Sequence, residues 1–231
     1  MAEFFENIIR VFSDGFYLTF VKDDRYVNLI SGLSVSLQIT AIASIIGVVL
    51  GIFVAILRLQ NKGLLGSLAS GYITLIRGTP AVVQLTIIYF VILVNTGLPD
   101  IVVGSIAFGL NSGAYVAEII RAGIMAVDKG QMEAGRSLGL SYSKTMVSII
   151  IPQAIKNVLP ALGNEFIVLL KETSIAGYVG FADLNKAGQR LGSITYNMYF
   201  SSIAVAYIYL LMTTTLAGGI NRLERRLHRS D

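Results

Sequence analysis

Arg25 and Arg58 bracket 32 consecutive residues without a charge, Tyr26–Leu57. A helix needs ~20 residues to cross the ~30 Å of bilayer hydrocarbon, so this run predicts one crossing with length to spare. Gly78–Pro99 is a second uncharged run, of 22 residues, and predicts another. Leu64–Ile76 is apolar but only 13 residues long, too short to span alone. It reads as a surface segment leading into the second crossing, with Arg77 and the triplet Gly78-Thr79-Pro80 marking the break. A third crossing runs from about Ile101 to Met125 and carries Glu118 and Arg121 toward its end. A fourth, from about Pro152 to Lys171, contains Glu165, and Leu191–Asn221 supplies a fifth with 31 uncharged residues. The pattern predicts an all-α integral membrane protein of five transmembrane helices. Residues 26–221 form the membrane domain, 1–25 an N-terminal interfacial segment and 222–231 a basic tail.

The faces of these elements add detail. Phe4, Phe5, Ile8, Ile9 and Phe12 recur at helical spacing within Phe4–Phe20, as expected of a helix lying along a membrane surface. Ala43, Gly47, Gly51 and Ala55 recur every fourth residue on the first span, and Ser105, Gly109, Gly113 and Ala117 do so on the third. Such ladders let helix backbones approach closely, since lipid gives no hydrophobic reward for association. They predict bundle packing rather than function.

Composition sharpens the class. Hydrophobic residues make up 54% of the 231 and charged ones 14%, against about a quarter charged in soluble domains. With no cysteine there is no disulfide framework, thiolate metal site or cysteine nucleophile, and the single histidine, His228, lies in the tail. No catalytic or metal-ligating constellation is expected. The N-terminus carries Glu3 and Glu6 where a signal peptide carries Lys or Arg, so no cleaved signal is expected. The net charge of +4 is scattered between apolar segments, which fits membrane orientation and not nucleic acid. Arg58, Lys62, Lys129, Arg136, Lys144, Lys156, Arg222, Arg225, Arg226 and Arg229 fall on one side of a five-span bundle. Lys22, Arg25, Lys171, Lys186 and Arg190 fall on the other, a bias of ten to five. The first side should be cytoplasmic, with the N-terminus outside and the C-terminus inside.

One loop of the cytoplasmic side, residues 128–152, is well-formed polar helix in the middle of an apolar chain. Asp128 can cap a helix, with Gln131 three residues on in a variant capping box. Gly139 can end it in the left-handed conformation, and Ser141 can cap a second helix entering span four. Met132, Leu138 and Leu140 would be left uncovered, so the element needs a partner.

The loop resembles the coupling motif of ABC-transporter permeases: EAA, three residues, G, nine residues, I, one residue, LP. The chain reads Glu133-Ala134-Gly135, three residues, Gly139, nine residues, Ile149, one residue, Ile151-Pro152. Gly135 stands for the second alanine and Ile151 for the leucine. "RGTPAVVQL" (77–85), "SGAYVAEIIRAGI" (112–124) and "GNEFIVLLKETSI" (163–175) are similar to the polar amino-acid uptake subfamily, the histidine/glutamine permease type. The resemblance implies a type I importer permease fold in the cell membrane. It implies a coupling helix that docks on a cytoplasmic ATPase subunit through Glu133, Ala134, Gly135, Leu138, Gly139 and Pro152. The chain has no G-x-x-x-x-G-K-[ST] phosphate loop, so ATP and Mg would be bound by that separate subunit and this chain would itself bind no cofactor. Two ATPase subunits, a second permease subunit, identical or paralogous, and an extracytoplasmic substrate-binding protein are the implied partners, besides membrane lipid.

Charge inside hydrocarbon costs several kcal/mol, roughly 2.5–3.5 at a helix centre, so each such group is functional or paired. Glu118 and Arg121, three apart, can pair as a structural contact or inner gate, or touch substrate. Asn111 and Tyr115 lie on nearly the same face as Glu118. Glu165, beside Asn164, is a path or gating residue, or pairs with Arg77 or Lys171. Gln84 and Thr86 are further path candidates, and Pro80 and Pro160 interrupt helices where freed carbonyls could face a cavity. Two acids in the path suit a basic substrate; the resemblance implies a polar amino acid. A channel, an ion-coupled secondary transporter or an intramembrane enzyme are the competing classes. None of these explains the coupling loop.

Overall fold

The computed structural model describes residues 1–59 and 63–227, apart from the side chains of residues 2, 3 and 8. Lys62 and Arg229, counted above among the loop cations, and His228 lie outside the described residues, as does the side chain of Ile8. The helices are α1 (Ala2–Phe16), α2 (Tyr26–Leu59), α3 (Leu64–Arg77), α4 (Ala81–Ile87), α5 (Asp100–Met125), α6 (Lys129–Ser137), α7 (Tyr142–Thr145), α8 (Ile151–Glu172), α9 (Leu184–Thr195) and α10 (Met198–Leu227). A wider π-type turn extends α4 to Ile92, and another, Met146–Ile150, joins α7 to α8.

The two small-residue ladders face each other. A Cβ at Gly47 would stand 2.9 Å from Ser112 Cβ, one at Gly51 2.6 Å from Val116 Cβ, and one at Gly109 2.7 Å from Ile46 Cβ. Residue numbers rise together along both helices, so α2 and α5 run parallel in close backbone contact. Parallel neighbours need the intervening chain to travel back across the bilayer. That return is α3 and α4, apolar helices bent by 107° at the break between them. With α2, α5, α10 and the continuous helix Tyr142–Val179 that contains α8 each long and apolar enough to span, and the bent pair as one span, the chain makes five crossings.

The segment expected on the surface is instead part of the bundle. Ala69 and Ile73 of α3 are buried with Val54, Ala55, Ala114 and Ala117 of α2 and α5, and the Tyr72 hydroxyl donates to Leu110 O. A 14-residue helix is about 21 Å long, too short to cross alone but sufficient for half of a broken crossing. α8 runs antiparallel to α5, with Gly123 against Val158 at one end and Ser112 against Glu165 further along.

The last crossing starts later than its uncharged run. Leu191–Thr195 ends α9, a separate helix; Tyr196 then takes φ 52°, a left-handed turn, and α10 begins at Met198. α9 folds back along α10 through Gly188 on Val205 and Gly192 on Ser201. Asp183 caps α9, accepting from the N–H groups of Asn185 and Lys186. It is fully buried; burial pushes its carboxyl above the usual range, while the two backbone donors pull it back. At its other end α10 continues through Asn221 to Leu227 with Arg225 and Arg226 in its last turn, so the described part of the basic tail is helix. α1 carries exposed Phe4, Phe5 and Ile9, and Phe12 meets Phe200 of α10 edge to face at 4.9 Å.

Candidate functional site

The coupling loop builds itself from its own residues. Asp128 caps α6 by accepting from Gly130 N at 2.6 Å. Gln131 contributes its backbone N–H to Asp128 O, while its side chain approaches Gln153, so the reciprocal capping box is replaced by an Asx turn. Gly139 takes φ +83°, which a side chain would resist. The carbonyls freed at the end of α6 are taken up by Leu138, Gly139 and Leu140 N–H groups. The Arg136 guanidinium donates to Leu140 O at 2.9 Å, closing the turn. Ser141 then caps α7 through Lys144 N.

Gly135 is buried, and a Cβ there would stand 2.5 Å from Thr145 Cγ2. The departure from the second alanine of the motif is therefore a packing requirement of this chain, whose α6 lies hard against α7. Glu133 and Ala134 are exposed, and Leu138 is 83% exposed. Met132 and Leu140 are half-buried, so Leu138 carries most of the uncovered apolar surface. Pro152 follows directly on the π turn Met146–Ile150, where the regular helical hydrogen-bond pattern is already interrupted. Arg58 and Arg121, at the ends of α2 and α5 that precede loops, mark the same side of the bundle as α6.

Inside the bundle the candidate residues divide into two groups. Ser112 of α5 donates to Glu165 Oε1 of α8 at 2.9 Å. Glu165 makes no ion pair with Arg77 or Lys171 among the described residues. The Arg77 guanidinium stacks 5.3 Å above the Tyr115 ring and lies within electrostatic reach of both Glu165 and Glu118. Asn164 is exposed beside Glu165. Together these line one polar seam through α3, α5 and α8.

In the second group each polar side chain has a partner within the bundle. Glu118 is gripped by two cations, Arg121 of its own helix and Arg58 of α2, which ties the parallel pair at its end. Gln84 staples the broken helix: its amide donates to Ile76 O at 2.7 Å and Thr79 O at 3.1 Å, and its oxygen accepts from Asn111 at 2.9 Å. The carbonyls freed near Pro80 thus meet the Gln84 amide. Thr86 bonds back to Val82 O. Arg58, Thr79 and Ser112 were not singled out from sequence; Ser112 carried a signal, lying inside the motif 112–124 beside the ladder glycine Gly113.

This arrangement, a parallel helix pair, a broken return crossing and a helix–turn–helix loop, has known counterparts. Residues 47–229 match the family model described as the binding-protein-dependent transport system inner membrane component. The chain is 40% identical over 205 residues to the putative glutamine transport system permease protein of Rickettsia bellii, covering 88% of this chain and 94% of that one. It is 38% identical over 211 residues to the arginine transport system permease protein of Bacillus subtilis, with 88% and 94% covered. Among solved structures it superposes at TM-score 0.81 and 47% identity on an amino acid ABC transporter crystallised with histidines, covering 87% of this chain and 94% of that one. The inward-facing MetNI methionine ABC transporter gives TM-score 0.78 at 18% identity over 89% and 99%, a likeness of fold alone. The chain therefore belongs to the binding-protein-dependent transport system inner membrane component family, as a multi-pass permease subunit of the type I ABC importer fold.

Proposed function

We propose that this permease carries polar amino acids, with Glu165 and Arg77 as the two charges that receive them. The observation behind this is the state of Glu165. Its carboxylate is held by one hydroxyl, from Ser112, and by no contacting cation among the described residues. A carboxylate at membrane depth gains most from a partner that brings positive charge. A substrate ammonium supplies that charge, and the cationic face of Arg77, steadied on Tyr115, suits the carboxylate of the same amino acid. Asn164, exposed beside Glu165, adds neutral polar lining. The relatives above are named for glutamine and arginine transport, the first as putative, a neutral and a basic member of one substrate class.

Energy enters through α6. A cytoplasmic ATPase subunit grips the exposed Glu133 and Leu138, and two such subunits serve two permease chains whose path lies near their two-fold axis. ATP and Mg are bound by the ATPase. A substrate-binding protein delivers the amino acid on the face opposite α6, so the N-terminus is outside and the end of α10 is in the cytoplasm. Family membership sets aside the channel and secondary-transporter readings.

The test is ATP-driven uptake of labelled glutamine and arginine by the complex in proteoliposomes. Glu165→Gln should lose most uptake, and Thr86→Ala, whose hydroxyl serves its own helix, should keep it. Full uptake by Glu165→Gln contradicts the assignment.

A further inference from the structure

On the face opposite α6, a cleft of about 490 Å³ lies between the first turns of α2 and the length of α9. Its floor is fixed by a close crossing: a Cβ at Gly32 would stand 2.7 Å from Ala187 Cβ and 2.8 Å from Asp183 O. Lys186 and Arg190, one turn apart on α9, line it with Ser193, and Asn28 and Ser31 of α2 face them. No carboxylate lines the cleft. Asp183 lies behind, fully buried, with its oxygens taken up by backbone N–H groups. Neither Lys186 nor Arg190 makes a salt bridge among the described residues. The Ser193 hydroxyl is taken by Gln189 O, so the cleft is doubly cationic, with Ser31 and Asn28 beside the cations, and without an internal anion.

Its level and flanks point to lipid. Asn28 and Ser31 follow the start of α2 at Tyr26 by about 3 and 8 Å of helix rise, the depth of the headgroup layer. Tyr26, Tyr196 and Tyr199 are exposed at the same end of the bundle, as in an interfacial aromatic belt. Beside the polar lining, Val27, Ile30 and Ile194 are exposed by 50%, 58% and 51%. A ligand with an anionic head and apolar tails satisfies both surfaces at once, whereas a small free anion leaves the apolar flank uncovered.

We propose that this cleft is a binding site for the phosphate headgroup of an anionic phospholipid, held between Lys186 and Arg190 with Ser31 and Asn28 as neutral partners. The site is independent of the substrate assigned to the transport path. Two cations near a membrane surface favour an anionic over a zwitterionic lipid by a factor on the order of 30.

The purified permease, with its ATPase subunits, is titrated in neutral detergent with phosphatidylglycerol and with phosphatidylcholine of the same acyl chains, and bound lipid is counted by native mass spectrometry. The wild-type chain should retain phosphatidylglycerol preferentially. Lys186→Gln/Arg190→Gln should lose that preference, while the charge-conserving Lys186→Arg/Arg190→Lys should keep it, which separates loss of the site from loss of the fold. Equal retention of the two lipids by the wild-type chain, or an unchanged preference in the Gln pair, overturns the proposal. Displacement of phosphatidylglycerol by excess inorganic phosphate also overturns it, in favour of a free-anion site.

Discussion

Ser112 of α5 holds Glu165 of α8 across 2.9 Å, joining two antiparallel crossings at the one carboxylate of the seam without a contacting cation among the described residues. If that carboxylate receives substrate, its removal and the removal of its support should differ. Glu165→Gln deletes a charge-assisted bond to substrate, and uptake should fall by roughly 10- to 100-fold. Ser112→Ala only loosens the carboxylate, so a smaller rise in KM is expected with kcat largely kept. Uptake kinetics in proteoliposomes separate the two.

The Arg58–Glu118–Arg121 cluster predicts an asymmetry in stability. Glu118 sits between two guanidinium groups, so Glu118→Gln leaves like charges facing each other and should cost about 1–3 kcal/mol. Arg121→Gln leaves Glu118 paired with Arg58 and should cost less. Thermal unfolding in detergent of both variants checks the order.

Gly135 and Thr145 predict a rescue. Gly135→Ala would place its Cβ 2.5 Å from Thr145 Cγ2 and should strain the α6–α7 turn by about 1–3 kcal/mol. Thr145→Ser removes that methyl while keeping the hydroxyl that bonds Ser141 O. ATP-driven uptake should therefore fall in Gly135→Ala and recover in part in the double variant.

Asp183 predicts a pH dependence. Burial raises its folded-state pKa above the unfolded value of about 3.9. The stability it contributes is then complete below about pH 4 and is lost as the pH rises through the folded value. Asp183→Asn keeps an acceptor oxygen for the α9 cap without the charge. Its melting temperature should exceed that of the wild-type chain near neutral pH, with the gap closing toward about pH 4.

Much of this was legible in the chain. The uncharged runs named the crossings because hydrophobic length is a local property, and the coupling loop was readable because its caps, glycine turn and motif spacing lie within 25 residues (128–152). The separate helix α9 was not, since its end at Tyr196 uses a left-handed tyrosine where glycine would have signalled a break. Leu64–Ile76 looked superficial because its length was judged alone, while its burial depends on α2 and α5. The contacts of Gln84 and Arg58 are hidden for a similar reason. One acts on carbonyls freed by a bend, and the other meets Glu118 60 residues away; neither relation has a local trace.

The central claim is that α6 is the handle by which a separate ATPase drives the membrane domain. The most direct measurement is co-purification of that ATPase with the detergent-solubilised chain and with its Glu133→Arg variant, at equal levels of folded membrane protein. Capture by the wild-type chain and its loss in Glu133→Arg is the predicted result. Equal capture by both, or by neither, contradicts the account.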